Sequence, residues 1–433
     1  MKPLFIVSCL IDTYSGYGAR SRDFVKALIQ LNTYDVRILP QRWGNTPWGF
    51  IDENPEWKFL KSHLLEGGNL PKKPEIWCQV TVPNEFQAVG KYNIGLTAGI
   101  ETTGCHHSWL EGCNRMDLVL TSSNHSKKVF ETTKFDAHNQ NKEKIGEIKL
   151  EKPIEVLIEG ADLEIYKSKK SSFNLDQVKE NFAFLFVGHW MHGTLGHDRK
   201  NVGHMVQIFL ESFKNKKNAP ALILKTCITG GSYMDRNEVF KRINEIRSSI
   251  KDVKTLPNIY LVHGDMSNKD MNELYNHKKV KAMISLTKGE GFGRPLLEFS
   301  LTKKPIIATN WSGHVDFLLP KFTTLLPGSL HNLDDSSVVK DMLMKEFQWL
   351  AVDPQSAYTA FRDVFTNYTD YKVKSGQQAS FSKSKFSFEK MVEQIDGYLK
   401  NYLPEFPKPI KLKLPKINKI ELPKAKEIEN VEG

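Results

Sequence analysis

Short apolar runs recur along the chain at intervals too regular for one sheet. Pro3 to Ile11, Ile76 to Thr81, Asn93 to Ile100 and Ile154 to Ile158 read as buried strands in the first part. Phe182 to Val187, Ala221 to Leu224, Asn258 to Val262, Ala282 to Leu286 and Pro305 to Thr309 do so in the second. Continuous runs of this length, without polar alternation, are the pattern of strands covered on both faces. Helical patterns fall between them. Phe24, Ala27, Leu28 and Leu31 share one helical face, and Asn268 to Tyr275 reads as a helix. Near the end, Ser387 is placed to cap a helix whose apolar face is Phe388, Met391, Val392, Ile395, Leu399 and Tyr402. Strands alternating with helices predict two doubly wound α/β domains with a ligand cleft between them.

Length agrees, since 433 residues suit two domains better than one. The polar, lysine-rich stretch Lys167 to Gln177 reads as the linker. We place the domains at 1–170 and 178–384, a terminal helix at 385–403 and a Pro- and Lys-rich tail at 404–433.

The most informative stretch runs from Met283 to Phe317. After the apolar run come Lys288-Gly289-Glu290-Gly291-Phe292-Gly293, then Arg294 and Pro295, where a proline starts a helix without losing a hydrogen bond. Pro305 ends that helix, because the residue before a proline is forced out of the helical region. Gly291 and Gly293 are expected to take positive φ and let backbone approach a ligand. Unpaired N–H groups at a helix start suit phosphate. The carboxylates Glu290 and Glu298 would repel phosphate, so they are expected to face hydroxyl groups. A ligand with central phosphates and hydroxylated rings on both sides is a nucleotide sugar.

The order Glu290-Gly-Phe-Gly-Arg-Pro-Leu-Leu-Glu298 resembles the E-x7-E signature of the group 1, family 4-like retaining glycosyltransferases, which have the two-domain GT-B fold. That resemblance implies two Rossmann-like domains facing a central cleft, the first on the acceptor side and the second binding the nucleotide sugar, with the last helix crossing back. It gives Glu298 the nucleotide ribose, and Glu290 with the adjacent amides of Gly291, Phe292 and Gly293 the donor sugar. Other stretches extend it. The glycine turn holding Gly16 and Gly18 is similar to the family's N-terminal turn at the cleft. Glu101-Thr102, the helix with Trp109, and Asn114-Arg-Met-Asp117 leading to Ser122 resemble a subset in which many members carry His at the place of Glu101. Glu159-Gly160-Ala-Asp162 is similar to the turn that closes the first domain. Gly188-His189 stands where the family has Gly-Arg, and Lys200 matches a lysine that clamps the donor diphosphate. With the arginine replaced by His189, Arg199, Lys225 or Arg294 is expected to compensate. Catalytic roles fall to Glu290, Lys200 and Glu101. The resemblance implies no metal and no cofactor beyond the nucleotide sugar, UDP- or GDP-linked.

Composition narrows the setting. The five cysteines are odd in number and form no C-x-x-C pair, which predicts reduced thiols and a cytoplasmic protein. No apolar run approaches the length that spans a bilayer. His189, His192, His197 and His204 match no zinc spacing. His106 and His107 read either as helix-start histidines or as groups reaching the cleft. Trp43, Trp48 and Trp57 read as core residues, with stacking on an acceptor as the alternative. The formal charge of +10 suits an acidic acceptor or surface, such as DNA or an anionic membrane, or a lysine-rich solvated exterior. The function expected is transfer of a sugar to a hydroxyl of a surface glycan, its lipid-linked precursor, a protein or a modified DNA base. The alternatives are a catalytically silent nucleotide-sugar-binding protein and a sugar-nucleotide epimerase of the same fold.

Overall fold

The computed structural model describes residues 2–44, 46–68, 70, 72–228 and 230–406. Strands β1 (Leu4–Cys9), β2 (Asp35–Pro40), β3 (Ile76–Val80), β4 (Tyr92–Leu96) and β5 (Leu118–Thr121) build most of a first sheet. A surface hairpin of β6 (Lys134–His138) and β7 (Lys144–Lys149) follows, and β8 (Ile154–Val156) completes the sheet. All six strands are parallel, in the order β2-β1-β3-β4-β5-β8. Strands β9 (Ala183–Val187), β10 (Ala221–Lys225), β11 (Ile259–Val262), β12 (Val280–Ser285), β13 (Ile306–Thr309) and β14 (Thr324–Leu326) make the second sheet. It too is parallel, in the order β11-β10-β9-β12-β13-β14. An antiparallel hairpin, β15 (Gly328–Asn332) with β16 (Gln348–Val352), is attached beside it.

Every residue of β1 and β3 is buried, as strands covered on both faces require. The helix Gly16–Leu31 buries Phe24, Val25, Ala27 and Leu28, and the Ser15 hydroxyl accepts from the Gly18 amide at 2.9 Å. Gly18 is required there by packing, since a Cβ would sit 2.3 Å from the Thr13 carbonyl oxygen, whereas a Cβ on Gly16 would meet nothing. Of the three tryptophans, Trp57 is in the core, while Trp43 packs edge-on against Tyr17 and Trp48 lies under Arg42.

Residues 167–177 form neither helix nor strand, but are pinned to the second domain through Lys169 on Glu273 and Asn276. The last helix, Phe388–Tyr402, is capped by Ser387 and buries Phe388, Met391, Val392, Ile395 and Leu399. It packs on the first domain. Phe388 donates its amide to Ala161, Tyr398 donates to the Val156 carbonyl at 2.8 Å, and Gln394 accepts from the Ile158 amide. The tail beyond Phe406, the subject of the anionic-surface reading, lies outside the described residues.

Candidate active site at the interdomain cleft

Four of the candidate residues sit at or past the C-terminal end of a parallel strand, where the open α/β architecture places ligands. Glu101 follows β4, His189 follows β9, Lys225 ends β10, and Glu290 follows β12. Four side chains meet across the cleft. Lys200 reaches both Glu290 carboxylate oxygens at 2.6 Å. Arg199 bonds Glu101 at 2.8 Å and the Gly289 carbonyl at 3.1 Å, and stands 3.6 Å from Glu290. This pairing joins the two domains, because Glu101 lies in a loop of the first and the other three in loops of the second.

Burial works against ionising Glu290, but Lys200 and Arg199 overcome it and hold the carboxyl down at about 2. Glu290 is therefore a fixed anion that accepts hydrogen bonds. The Ser312 hydroxyl accepts from the Glu290 amide at 2.8 Å, and His314, fully buried and lowered by that burial, is a neutral imidazole set against the Thr309 carbonyl at 2.6 Å. Burial lowers the Lys200 ammonium, with Glu290 opposing that effect. His189 is lowered as well, by burial first and Lys200 second, so a neutral imidazole stands where the family pattern has an arginine. Lys225 donates to the Gly264 carbonyl at 2.6 Å, a neutral partner. It is thus the cation most available to an incoming anion.

Several expectations are corrected. Gly293 has positive φ, 97°, but Gly291 does not. Gly291 is instead forced by contact: a Cβ there would lie 2.1 Å from the Ala98 carbonyl oxygen of the first domain. Phe292 is 3% exposed and packs on Phe317 and Phe386, so its side chain belongs to the core, which leaves the expected role of its backbone amide untouched. Arg294 does not compensate for the missing arginine. Its guanidinium is held by Asp23 of the first domain and by Glu298, whose Oε1 accepts from its Nε at 2.9 Å. Glu298 is 5% exposed, and its other oxygen accepts from Tyr275 at 3.1 Å. A ribose would reach that carboxylate only by displacing one of these partners. His106 caps the helix His107–Asn114 by accepting from the Ser108 amide.

Asp23, Tyr166 and Tyr275 around Glu298 were not readable as site residues, whereas Ser312 and His314 beside Glu290 lie in the turn Thr309 to His314, which resembles the small-residue turn bordering the family's donor site. For the first three, the partners are 23 to more than 270 residues away in sequence; in the turn, a Gly313 Cβ would strike Gly291. All five cysteines are buried and unpaired. Among the described residues no three His, Cys, Asp or Glu side chains gather as a metal group, and no helix is long and apolar enough to cross a membrane.

No family model and no curated protein sequence matches this chain. Solved structures do match. Sucrose-phosphate synthase from Thermosynechococcus elongatus superimposes with a TM-score of 0.59 at 11% identity, covering 93% of this chain and 99% of its own. A glycosyltransferase from Rickettsia africae gives 0.58 at 15% identity, covering 93% and 99%. HepE from Anabaena, solved with UDP and glucose, gives 0.56 at 12% identity, covering 92% and 100%. With two parallel six-stranded sheets and these likenesses over nearly the whole length, the chain has the GT-B fold of nucleotide-sugar glycosyltransferases.

Proposed function

We propose that this protein is a metal-independent, nucleotide-sugar-dependent glycosyltransferase that transfers with retention at the anomeric carbon. The observation that carries the reading is the cluster of Lys200, Glu290, Arg199 and Glu101 at the strand ends of both domains, set in the E-x7-E stretch. The structural likeness to HepE, solved with UDP and glucose, supports the class of donor.

The chemistry follows from the charges. The donor diphosphate enters against Lys225 and Lys200, the latter exchanging Glu290 for a phosphate oxygen. Glu290, thereby released but still ionised, accepts from hydroxyls of the donor sugar, and Arg199 keeps Glu101 turned toward the same place. As the glycosidic bond to the diphosphate lengthens, negative charge grows on the leaving oxygen. Preoriented cations in a site closed to water stabilise that charge more than the ground state. The leaving oxygen takes the acceptor's proton, so no carboxylate base is needed. Lysine and arginine supply the positive charge that a metal supplies in other phosphate-binding sites. The acceptor is a hydroxyl on a glycan, a lipid-linked precursor or a modified base in DNA, the last in keeping with the basic balance of the chain.

Closure of Glu298 by Arg294 and Tyr275 favours a second reading, a silent nucleotide-sugar-binding protein. Nucleotide release from UDP-, GDP- and ADP-sugars separates the two. Release from one donor, abolished in Lys200→Ala, is the expected result. Binding without release for every donor and acceptor would establish the silent protein. If nothing binds, both readings fail.

A further inference from the structure

Alternate residues of β1 point into two separate cores, Phe5 and Val7 into one, Leu4 and Ile6 into the other. The second domain reaches the first on both of these faces. On one, Phe388, Met391 and Ile395 of the last helix join the core of Val7 and Phe24. On the other, Met342 and Leu343 pack against the core of Trp109 and Phe130. These two belong to the segment between β15 and β16. Trp109, 2% exposed, donates from its Nε1 to the Asp341 carbonyl of that segment at 2.9 Å. Phe347 lies so close on Gly104 that a Cβ there would stand 2.1 Å from the ring. Its ring also meets Phe135 edge-on, with centroids 6.4 Å apart.

The segment runs into β16, which is wedged between the two halves of the charged cluster. The Thr103 amide donates to the Gln348 carbonyl at 2.8 Å, and the Gln348 amide to the Thr103 hydroxyl at 2.9 Å. Further along the strand, the Leu350 amide donates to the Lys288 carbonyl at 3.2 Å, and the Lys288 amide to the Arg199 carbonyl at 2.8 Å. Thr103 is next but one to Glu101, and Lys288 next but one to Glu290. The step from Gln348 to Leu350 spans about 7 Å of extended strand. That step sets the distance across which Glu101 meets Arg199. Gly289 leaves no slack, since a Cβ on it would lie 2.7 Å from the Glu101 Cβ.

We propose that the β15–β16 insertion is an interdomain clasp that positions Glu101 against Arg199, with Phe347 on Gly104 as its latch. Once it is released, the first domain carries Glu101 away, while Lys200, Lys225 and Glu290 stay together on the second. Donor binding then survives, and the first domain's part in the reaction is lost. A misplacement of about 1 Å can cost about 10²-fold in rate. The effect on the reaction rests on the transferase reading above; the clasp itself does not.

Gly104→Ala lifts the latch with least disturbance. Gly104 has no positive φ, so alanine suits its backbone, and the nearest atoms the methyl meets are those of the Phe347 ring. Hydrogen exchange of the full chain, read residue by residue, should find the wild-type Thr103 and Gln348 amides at least about ten-fold slower than those of exposed Lys345 and Glu346. Gly104→Ala should speed both about ten-fold or more and leave β1 and β9 protected. Nucleotide release from the sugar donor should fall about ten-fold or more, with little change in donor KM. In a Glu101→Ala background Gly104→Ala should add nothing, because the clasp acts through that side chain. The proposal is overturned if the wild-type amides exchange like the exposed loop, or if Gly104→Ala leaves them slow. It is overturned equally if β1 or β9 loses protection, if the amides are freed without loss of turnover, or if the loss persists in Glu101→Ala. If the wild type releases nucleotide from no sugar donor, the transferase reading and the positioning role fall together, and exchange still decides the clasp.

Discussion

Glu290 and Glu298 stand eight positions apart in one short stretch, and the fold holds them in opposite ways. Glu290 meets two cations and is fixed as an anion, with its carboxyl lowered to about 2. Glu298 is raised above the ordinary carboxylate range, because burial outweighs the help of Arg294 and the two tyrosines. The difference lies in how the arginines and lysines are shared. Lys200 and Arg199 serve Glu290 and Glu101, two cations for two anions. Arg294 faces Asp23, Glu298 and, at 3.9 Å, Glu159, with buried Arg20 also acting on Glu159; the Arg294 guanidinium is held firmly charged, while burial raises both Glu298 and Glu159. The first glutamate is held as an anion at the cleft, and the second is tied through Arg294 to the first domain.

The sharpest way to break this contrast is Arg294→Met. It leaves Asp23, Glu298 and Glu159 buried without their common cation, and removing one partner of a buried pair costs about 3–5 kcal/mol. Chemical denaturation should show a loss of that order. A loss below about 1 kcal/mol would mean that the acids relax into water and that the tie is cosmetic. Glu290→Gln should strike activity as well as stability. It keeps the shape, removes the charge, and lowers turnover about 10²–10³-fold, the range for a single preoriented electrostatic group. Stability near neutral pH should fall too, because Lys200 and Arg199 lose their buried counter-ion.

The two carboxyls also separate by pH. The Glu290 value is depressed, so the stability it contributes is present above the ordinary carboxylate value and is lost as pH falls from about 4.5 toward 2. The Glu298 value is raised, so its contribution is present when the group is protonated and is lost as pH rises through its raised value. Glu290→Gln should therefore flatten the acid limb of the stability curve, whereas Glu298→Gln should flatten its decline toward neutrality. Parallel curves for the two variants would refute the assignment. A smaller effect is expected from Gly291→Ala. The added methyl meets the Ala98 carbonyl, and such overpacking costs about 1–3 kcal/mol by pushing the domains apart.

Much of this arrangement was legible in the sequence. Apolar runs gave nine of the parallel strands because buried strands have no polar face to blur them. Ser387 and the spacing of Phe388, Met391, Val392, Ile395 and Leu399 located the last helix. Glu290 and Lys200 came from a dense motif and a matching lysine, and the structure brings them together. What failed depended on distance or on the other domain. Asp35–Pro40 carries an aspartate and an arginine and did not read as a strand, and the β15–β16 hairpin is exposed along its first strand. Gly291 looked like a φ requirement, but its neighbour is Ala98, almost 200 residues earlier. Arg294 looked free to hold phosphate because Asp23, in the first helix, is invisible from its own stretch.

The finest test concerns Tyr275, whose hydroxyl donates to Glu298 at 3.1 Å inside the tie. Tyr275→Phe keeps the ring, and with it the edge-on contact to Phe299 at 5.7 Å. Only the hydrogen bond is removed, so the loss should be about 1.5–3 kcal/mol, the range for a bond to a charged acceptor. That number alone would not show which form of Glu298 the bond supports. Repeating the substitution in Glu298→Gln does, because the amide oxygen still accepts but carries no charge. If Glu298 is an anion within the tie, the tyrosine should matter clearly less beside glutamine, and the cycle should give a coupling above about 0.5 kcal/mol. If the coupling vanishes, Glu298 is held protonated in the folded protein. The stretch would then carry one charged glutamate and one neutral one, a sharper division than the present geometry describes.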